Sequence, residues 1–152
     1  MSEIGNILHI APIMRFVVEF TTWIWLLLIG IETFGFKVIN PDNRMIFDSW
    51  VFLGLLIVSL FLLSQLNFPG DKKPHGKMVT GWQRIIVELF SASLGIFAAW
   101  VIFGSLGTIF QTVLSLFSFF LDRERWKWFL GRRKSPPDFV LALGHFPYEN
   151  QL

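Results

Sequence analysis

The chain has 152 residues, 53% of them hydrophobic and only 16% charged, with a formal net charge of +2. Soluble domains carry roughly 25% charged residues, so this composition describes one small integral membrane domain with no length left for a second, soluble one. Cysteine is absent, which excludes a disulfide framework, a thiolate nucleophile and a thiolate metal site, and the charge is too small to indicate nucleic acid as a partner.

Residues 1–14 contain no Lys or Arg, and no small-residue cleavage site follows the first apolar run. A cleavable signal peptide is therefore not expected, and the N-terminus reads as retained. The first predicted span runs from Pro12 to Phe34, with Pro12 in the first helical turn, where its missing N–H is harmless. Gly35 and Asn40-Pro41-Asp42-Asn43 end it with turn chemistry. Asp48 is the expected cap of a second span reaching Leu66, stopped by Asn67-Phe68-Pro69-Gly70. Thr80 and Gln83 have capping-box spacing before a third span, Gly81 to Phe103. The short link Gly104 to Gly107 predicts an antiparallel hairpin with a fourth span, which ends near Leu121 and is short for a full crossing. Asp122-Arg123-Glu124-Arg125 then marks the water, and residues 122–152 form a cytoplasmic or interfacial tail.

Within the apolar stretches one charged signature occurs twice. Arg15-Phe16-Val17-Val18-Glu19-Phe20 recurs 69 positions later as Arg84-Ile85-Ile86-Val87-Glu88-Leu89. The expected fold is all-α and membrane-integral: four transmembrane helices built from two parallel repeats of a helical hairpin, plus an interfacial C-terminal segment. The N-terminal segment, the 67–84 loop and the tail hold Arg15, Lys72, Lys73, Lys77, Arg84, Arg123, Arg125, Lys127, Arg132, Arg133 and Lys134, against Lys37 and Arg44 opposite. That bias places both termini in the cytoplasm.

A charge at a bilayer centre costs about 2.5–3.5 kcal/mol on the insertion scale, so the doubled Arg and Glu need partners. The face following Arg84 and Glu88 reads Ser91, Gly95, Ala98, small residues that admit a neighbouring helix. The face of span one reads Arg15, Glu19, Thr22, Leu26, Gly30, and span four carries Gln111, Ser115, Ser118 and Asp122 at helical spacing. If the three faces meet, they enclose a polar cluster of Arg15, Glu19, Arg84, Glu88, Gln111 and Asp122, with each glutamate touching an arginine. Such a cluster reads first as an interhelical ion-pair network and alternatively as a site for a proton, ion or small anion.

His9, His75 and His145 lie outside the predicted spans, so haem or chlorophyll ligation is unsupported. No metal-protease, P-loop or nucleophile-elbow motif occurs, and the serines have no histidine among them, so no enzyme is expected and no catalytic, metal or cofactor residue is assigned. The many phenylalanines leave a quinone or pigment crevice as an open alternative to packing. Glu32 reads as a surface partner of Lys37. Trp126, Trp128, Arg132, Arg133 and Lys134 have the composition of an anchor to anionic lipid or to a partner. The run Phe139 to Leu143 is too short to span and is expected to rest on the membrane or another subunit.

The segment from Arg15 to Glu19, the basic loop Phe68-Pro69-Gly70-Asp71-Lys72-Lys73-Pro74, and Arg84, Glu88 and Phe90 together resemble the YrdB-like family of small four-helix bacterial membrane proteins. The resemblance covers roughly residues 11–121 and implies the bacterial inner membrane but no activity; a second four-helix family, DoxX-like, fits less well. The expected function is that of an accessory or structural subunit of a membrane complex, in contact with lipids, other subunits or further copies of itself. The alternative is a small oligomeric transporter or channel using the Arg–Glu cluster.

Overall fold

The computed structural model describes residues 2–39, 48–68, 77–132 and 134. Helix α1 (Ser2–Gly30) ends in a 3-10 turn, Ile31–Phe34, closed by Gly35 at a φ of 94°, a left-handed conformation suited to glycine. Helix α2 (Ser49–Gln65) starts on Asp48, whose side chain accepts from the Trp50 N–H. Two short strands, β1 (Leu66–Asn67) and β2 (Lys77–Met78), pair in parallel, with Leu66 opposite Lys77. Helix α3 (Gly81–Phe103) opens on a complete capping box between Thr80 and Gln83. Helices α4 (Ser105–Leu121) and α5 (Arg123–Phe129) follow, bent by 63° at Asp122.

Residues Ile10–Phe34 and helix α3 are long and apolar enough to cross a membrane, and the bent pair α4–α5 is a third such segment if taken as one. Helix α2 is apolar but has 17 residues, about 25 Å of helix. The first helix departs from the predicted start: it begins at Ser2 and runs through Pro12. Ile4, Ile7, Leu8, Ile10 and Ala11 continue the apolar sequence upstream, and the helix accepts the one hydrogen bond that proline forfeits.

The helices are built inside out relative to a soluble bundle. In α4 the buried residues are Gly107, Gln111, Ser115 and Ser118, whereas Leu106, Ile109, Phe110, Val113, Leu116 and Phe117 are exposed. Polar atoms buried this way must find partners inside, and the apolar exterior suits hydrocarbon rather than water. The small face of α3 (Ser91, Gly95, Ala98) is buried. A Cβ on Gly95 would lie 2.2 Å from Thr22 Oγ1 of α1 and 3.1 Å from Gln111 Nε2 of α4, so three helices converge on this glycine. At the hairpin, a Cβ on Gly107 would lie 2.4 Å from the Ala99 carbonyl oxygen, which lets α4 double back closely along α3. Towards the other end of α1, a Leu26, Ile29, Phe52, Ala98, Val101 and Ile102 cluster forms the main apolar core.

A G95A substitution is expected to destabilise the fold by about 1–3 kcal/mol, because the Thr22 side chain it meets is fully buried and bonded to the Val18 carbonyl. G54A meets nothing within 4 Å and should be neutral or stabilising by up to about 1 kcal/mol, the ordinary helix preference for alanine. Unfolding of both variants in detergent, followed by circular dichroism, checks the contrast.

Candidate functional site

Glu88 lies on α3 two turns after the capping box, with 6% of its side chain exposed. Arg84, one turn earlier and fully buried, donates from Nε to Glu88 Oε1 at 3.0 Å. Its Nη1 donates to the carbonyls of Leu63 at 3.1 Å and Leu66 at 2.6 Å. Those carbonyls belong to the end of α2, where helix geometry leaves acceptors unfilled and the dipole is negative. One guanidinium thus closes α2 and holds the Glu88 carboxylate of α3.

The bend at Asp122 brings α5 back over the start of α3. Arg125, also fully buried, grips Glu88 with a two-pronged contact, Nη2 to Oε1 at 2.8 Å and Nη1 to Oε2 at 3.0 Å. Its guanidinium lies 4.3 Å from the centre of the Phe129 ring. The Trp126 indole N–H donates to Glu88 Oε2 at 3.2 Å. Glu88 therefore accepts from two arginines and a tryptophan, and both of its oxygens are used. Gly81 permits the docking: a Cβ there would sit 1.9 Å from the Phe129 carbonyl oxygen. Trp128 and Phe129 pack on Ile85 and Phe68 to complete a second, smaller apolar cluster.

Asp122 completes the site, with Oδ2 at 3.6 Å from Arg15 Nη1 and 3.7 Å from Arg125 Nη1. Three arginines (Arg15, Arg84, Arg125) and three carboxylates (Glu19, Glu88, Asp122) lie together at this end of the bundle. A cavity of about 20 Å³ lies among Arg15, Glu19, Glu88, Ser91, Ser118 and Asp122.

The two copies of the sequence motif are not equivalent. Arg84 pairs with Glu88, whereas Arg15 is directed to Asp122, and Glu19 makes no ion pair among the described residues. The packing register explains the difference. Gly95 faces Thr22, and the cavity joins residues 15, 18 and 19 to 88, 91 and 92. Helices α1 and α3 therefore lie about one turn, roughly 6 Å, out of step with the repeat, which sets Glu88 level with Arg15 rather than with Glu19.

Gln111 stands apart from the charged site. It accepts from the Trp25 indole N–H at 3.1 Å and donates to Thr21 Oγ1 at 3.1 Å, three turns along α4 from Asp122. The expected anchor also divides. Trp128 is 3% exposed and Trp126 is tied to Glu88, so both serve the interior; Arg132 and Lys134 are exposed, and Arg133 lies outside the described residues. The 139–143 run likewise lies outside them. Among the described residues no ion pair joins Glu32 to Lys37; Glu32 Oε1 accepts the backbone N–H groups of Val38 and Ile39 and so braces the chain after the first helix. Arg125, in a charged run whose composition marks the water boundary, is a central member of the site. The available signal was its spacing, since Ser118, Asp122, Arg125 and Phe129 continue one helical stripe.

No protein-family model, curated protein or solved structure matches the chain, so the resemblance to YrdB-like proteins stands only on the motifs that carry it.

Removing the Glu88 charge by E88Q leaves Arg84 and Arg125 buried without their carboxylate. The expected loss is about 3–5 kcal/mol, with new trypsin cleavage at Arg123 and Lys127 as α5 leaves the bundle. E124Q, which affects the exposed pair with Lys127, should change stability by less than about 1 kcal/mol. Detergent unfolding and limited proteolysis on the same samples check both.

Proposed function

We propose that this chain is a structural or accessory subunit of a membrane protein complex, in the form of a four-crossing bundle of two hairpins with both termini on the cytoplasmic side. The observation that carries this reading is the complete engagement of Glu88 by Arg84, Arg125 and Trp126 beside a cavity of only about 20 Å³. A carboxylate with both oxygens filled by protein donors is a fastener, and the space next to it admits no solute larger than water.

The remaining features fit that role. The outward rows of α2 and α4 present Ile57, Phe61, Phe110, Val113 and Phe117 to hydrocarbon or to an apolar partner helix. Helices α2 and α4 are each about 25 Å long, near the hydrocarbon thickness of about 30 Å, and the flanking Leu66 to Phe68 and the bent α5 extend them to the interface. Arg15, Arg84 and Arg125 are committed to the interior network, which leaves Lys77, Arg123, Lys127, Arg132 and Lys134 to meet anionic headgroups on the cytoplasmic side. The doubled Arg-x-x-x-Glu motif supports an origin by duplication of a hairpin, and the resemblance to YrdB-like proteins supports a bacterial inner membrane.

The natural absence of cysteine makes topology directly measurable. In intact spheroplasts an impermeant maleimide should label K37C, and should label K77C and K134C only after permeabilisation; labelling of K77C from outside would leave fewer than four crossings. Purification from native membranes in mild detergent should yield a larger complex of fixed stoichiometry. A homo-oligomer that conducts protons or ions in liposomes would replace the subunit reading with a transporter.

A further inference from the structure

Arg15 and Glu19 stand one turn apart on α1, yet no ion pair joins them. Arg15 Nη1 and Glu19 Oε1 are both shut off from solvent, and neither has a hydrogen-bond partner among the described residues. The contact of Arg15 Nη1 with Asp122 Oδ2, at 3.6 Å, is an ion pair too long to be a hydrogen bond. One atom is an obligate donor and the other an acceptor, and both residues line the same cavity.

The dimensions and lining of that cavity choose its occupant. At about 20 Å³ it exceeds the 10–15 Å³ or so that one water needs and falls far short of a phosphate, a carboxylate or a sugar. A metal cation is excluded by the Arg15 guanidinium in the wall; Val18, Leu63, Ala92 and Phe119 share that wall, and the two unpartnered polar atoms of Arg15 and Glu19 select a water over an apolar guest. We infer that this cavity is a binding site for a single water molecule, which accepts from Arg15 Nη1 and donates to Glu19 Oε1. Its second proton is directed to Asp122, already beside the same Arg15 nitrogen.

The water has a structural consequence. It joins Glu19 to a line of ionised groups running through Arg15, Asp122 and Arg125 to Glu88 and Arg84. Arg15 already ties α1 to Asp122, Arg125 and Glu88; the water adds Glu19, so that both glutamates of the doubled motif belong to the network. Glu19 is then the one carboxylate of the cluster whose link to an arginine runs through an exchangeable solvent molecule.

Water-edited solid-state NMR on the full chain in lipid bilayers tests the site by comparing magnetisation transfer from water to the guanidinium signals of Arg15 and Arg125. Arg125 is fully buried, with both Nη atoms bonded to Glu88, and lies outside the cavity wall. Transfer to Arg15 should be fast and transfer to Arg125 slow. E19Q, which keeps an acceptor oxygen, should retain the fast Arg15 transfer, and E19L, which fills the space with an apolar group, should abolish it. Equally slow transfer to both arginines in the unmodified protein would overturn the inference. So would fast Arg15 transfer that survives E19L, which would assign it to interfacial water reaching the 15% exposed side chain. If E19L fails to fold, the Arg15–Arg125 contrast and the E19Q result still decide.

Discussion

A carboxylate buried in an apolar helix bundle must be surrounded by donors or the bundle does not form, and the coordination of Glu88 meets that demand with Arg84, Arg125 and Trp126. Most of the unusual geometry follows from it. Arg125 reaches Glu88 only because the chain bends by 63° at Asp122 and lays α5 over the start of α3. That approach needs a residue without a side chain at Gly81. Arg84 can hold Glu88 through Nε because its Nη1 meets the unfilled carbonyls at the end of α2. Buried ion pairs contribute little net stability against an apolar alternative, but each one removed singly is costly, so the network specifies one arrangement of helices above others.

The rest of the interior solves the same problem with weaker groups. Gln111 joins Trp25 and Thr21 deeper in the bundle, and Ser59 and Ser91 lie 3.3 Å apart between α2 and α3. These contacts sit where small residues bring the helices close, as at Gly95 against Thr22. The layers divide the labour: charges fix the end near Asp122, amide and hydroxyl groups fix the middle, and Leu26, Ile29, Phe52 and Val101 fill the far end with ordinary apolar packing.

Much of this was legible in the sequence, because the signals that carried it are local. The third helix follows its capping box and its glycine stop, and the small face and the Gln111–Asp122 stripe both turn inward. What the sequence concealed depends on register and chain reversal. The repeat promised two equal Arg–Glu pairs, but a one-turn stagger between α1 and α3 makes Glu88 the hub and leaves Glu19 on the cavity. No local pattern reports that stagger. Arg125 and the tryptophans beside it have the composition of an interfacial anchor, and composition does not distinguish a segment lying on lipid from one folded back onto its own bundle. Pro12 failed as a helix start because propensity at one residue yields to an apolar sequence that extends on both sides of it.

On the subunit proposal, the inward turn of Trp126 and Trp128 also restricts how a partner would be recognised. Of the residues in α5, Arg125, Trp128 and Phe129 are consumed by the fold, and Arg123 and Lys127 face outward. A partner meeting α5 from the aqueous side encounters those cations beside Glu124, a mixed polar face that suits headgroups or an acidic segment. A partner arriving within the membrane would meet aromatic and branched side chains on α2 and α4, with Ser59, Gln111, Ser115 and Ser118 turned inward. Association there rests on shape and dispersion, since apolar surface gains nothing from leaving lipid for protein. On that proposal, substitutions that change the outline of those faces, such as exchanging Phe110 or Phe61 for a small residue, would separate partner binding from folding, whereas changes at Glu88 or Arg125 would disturb both together.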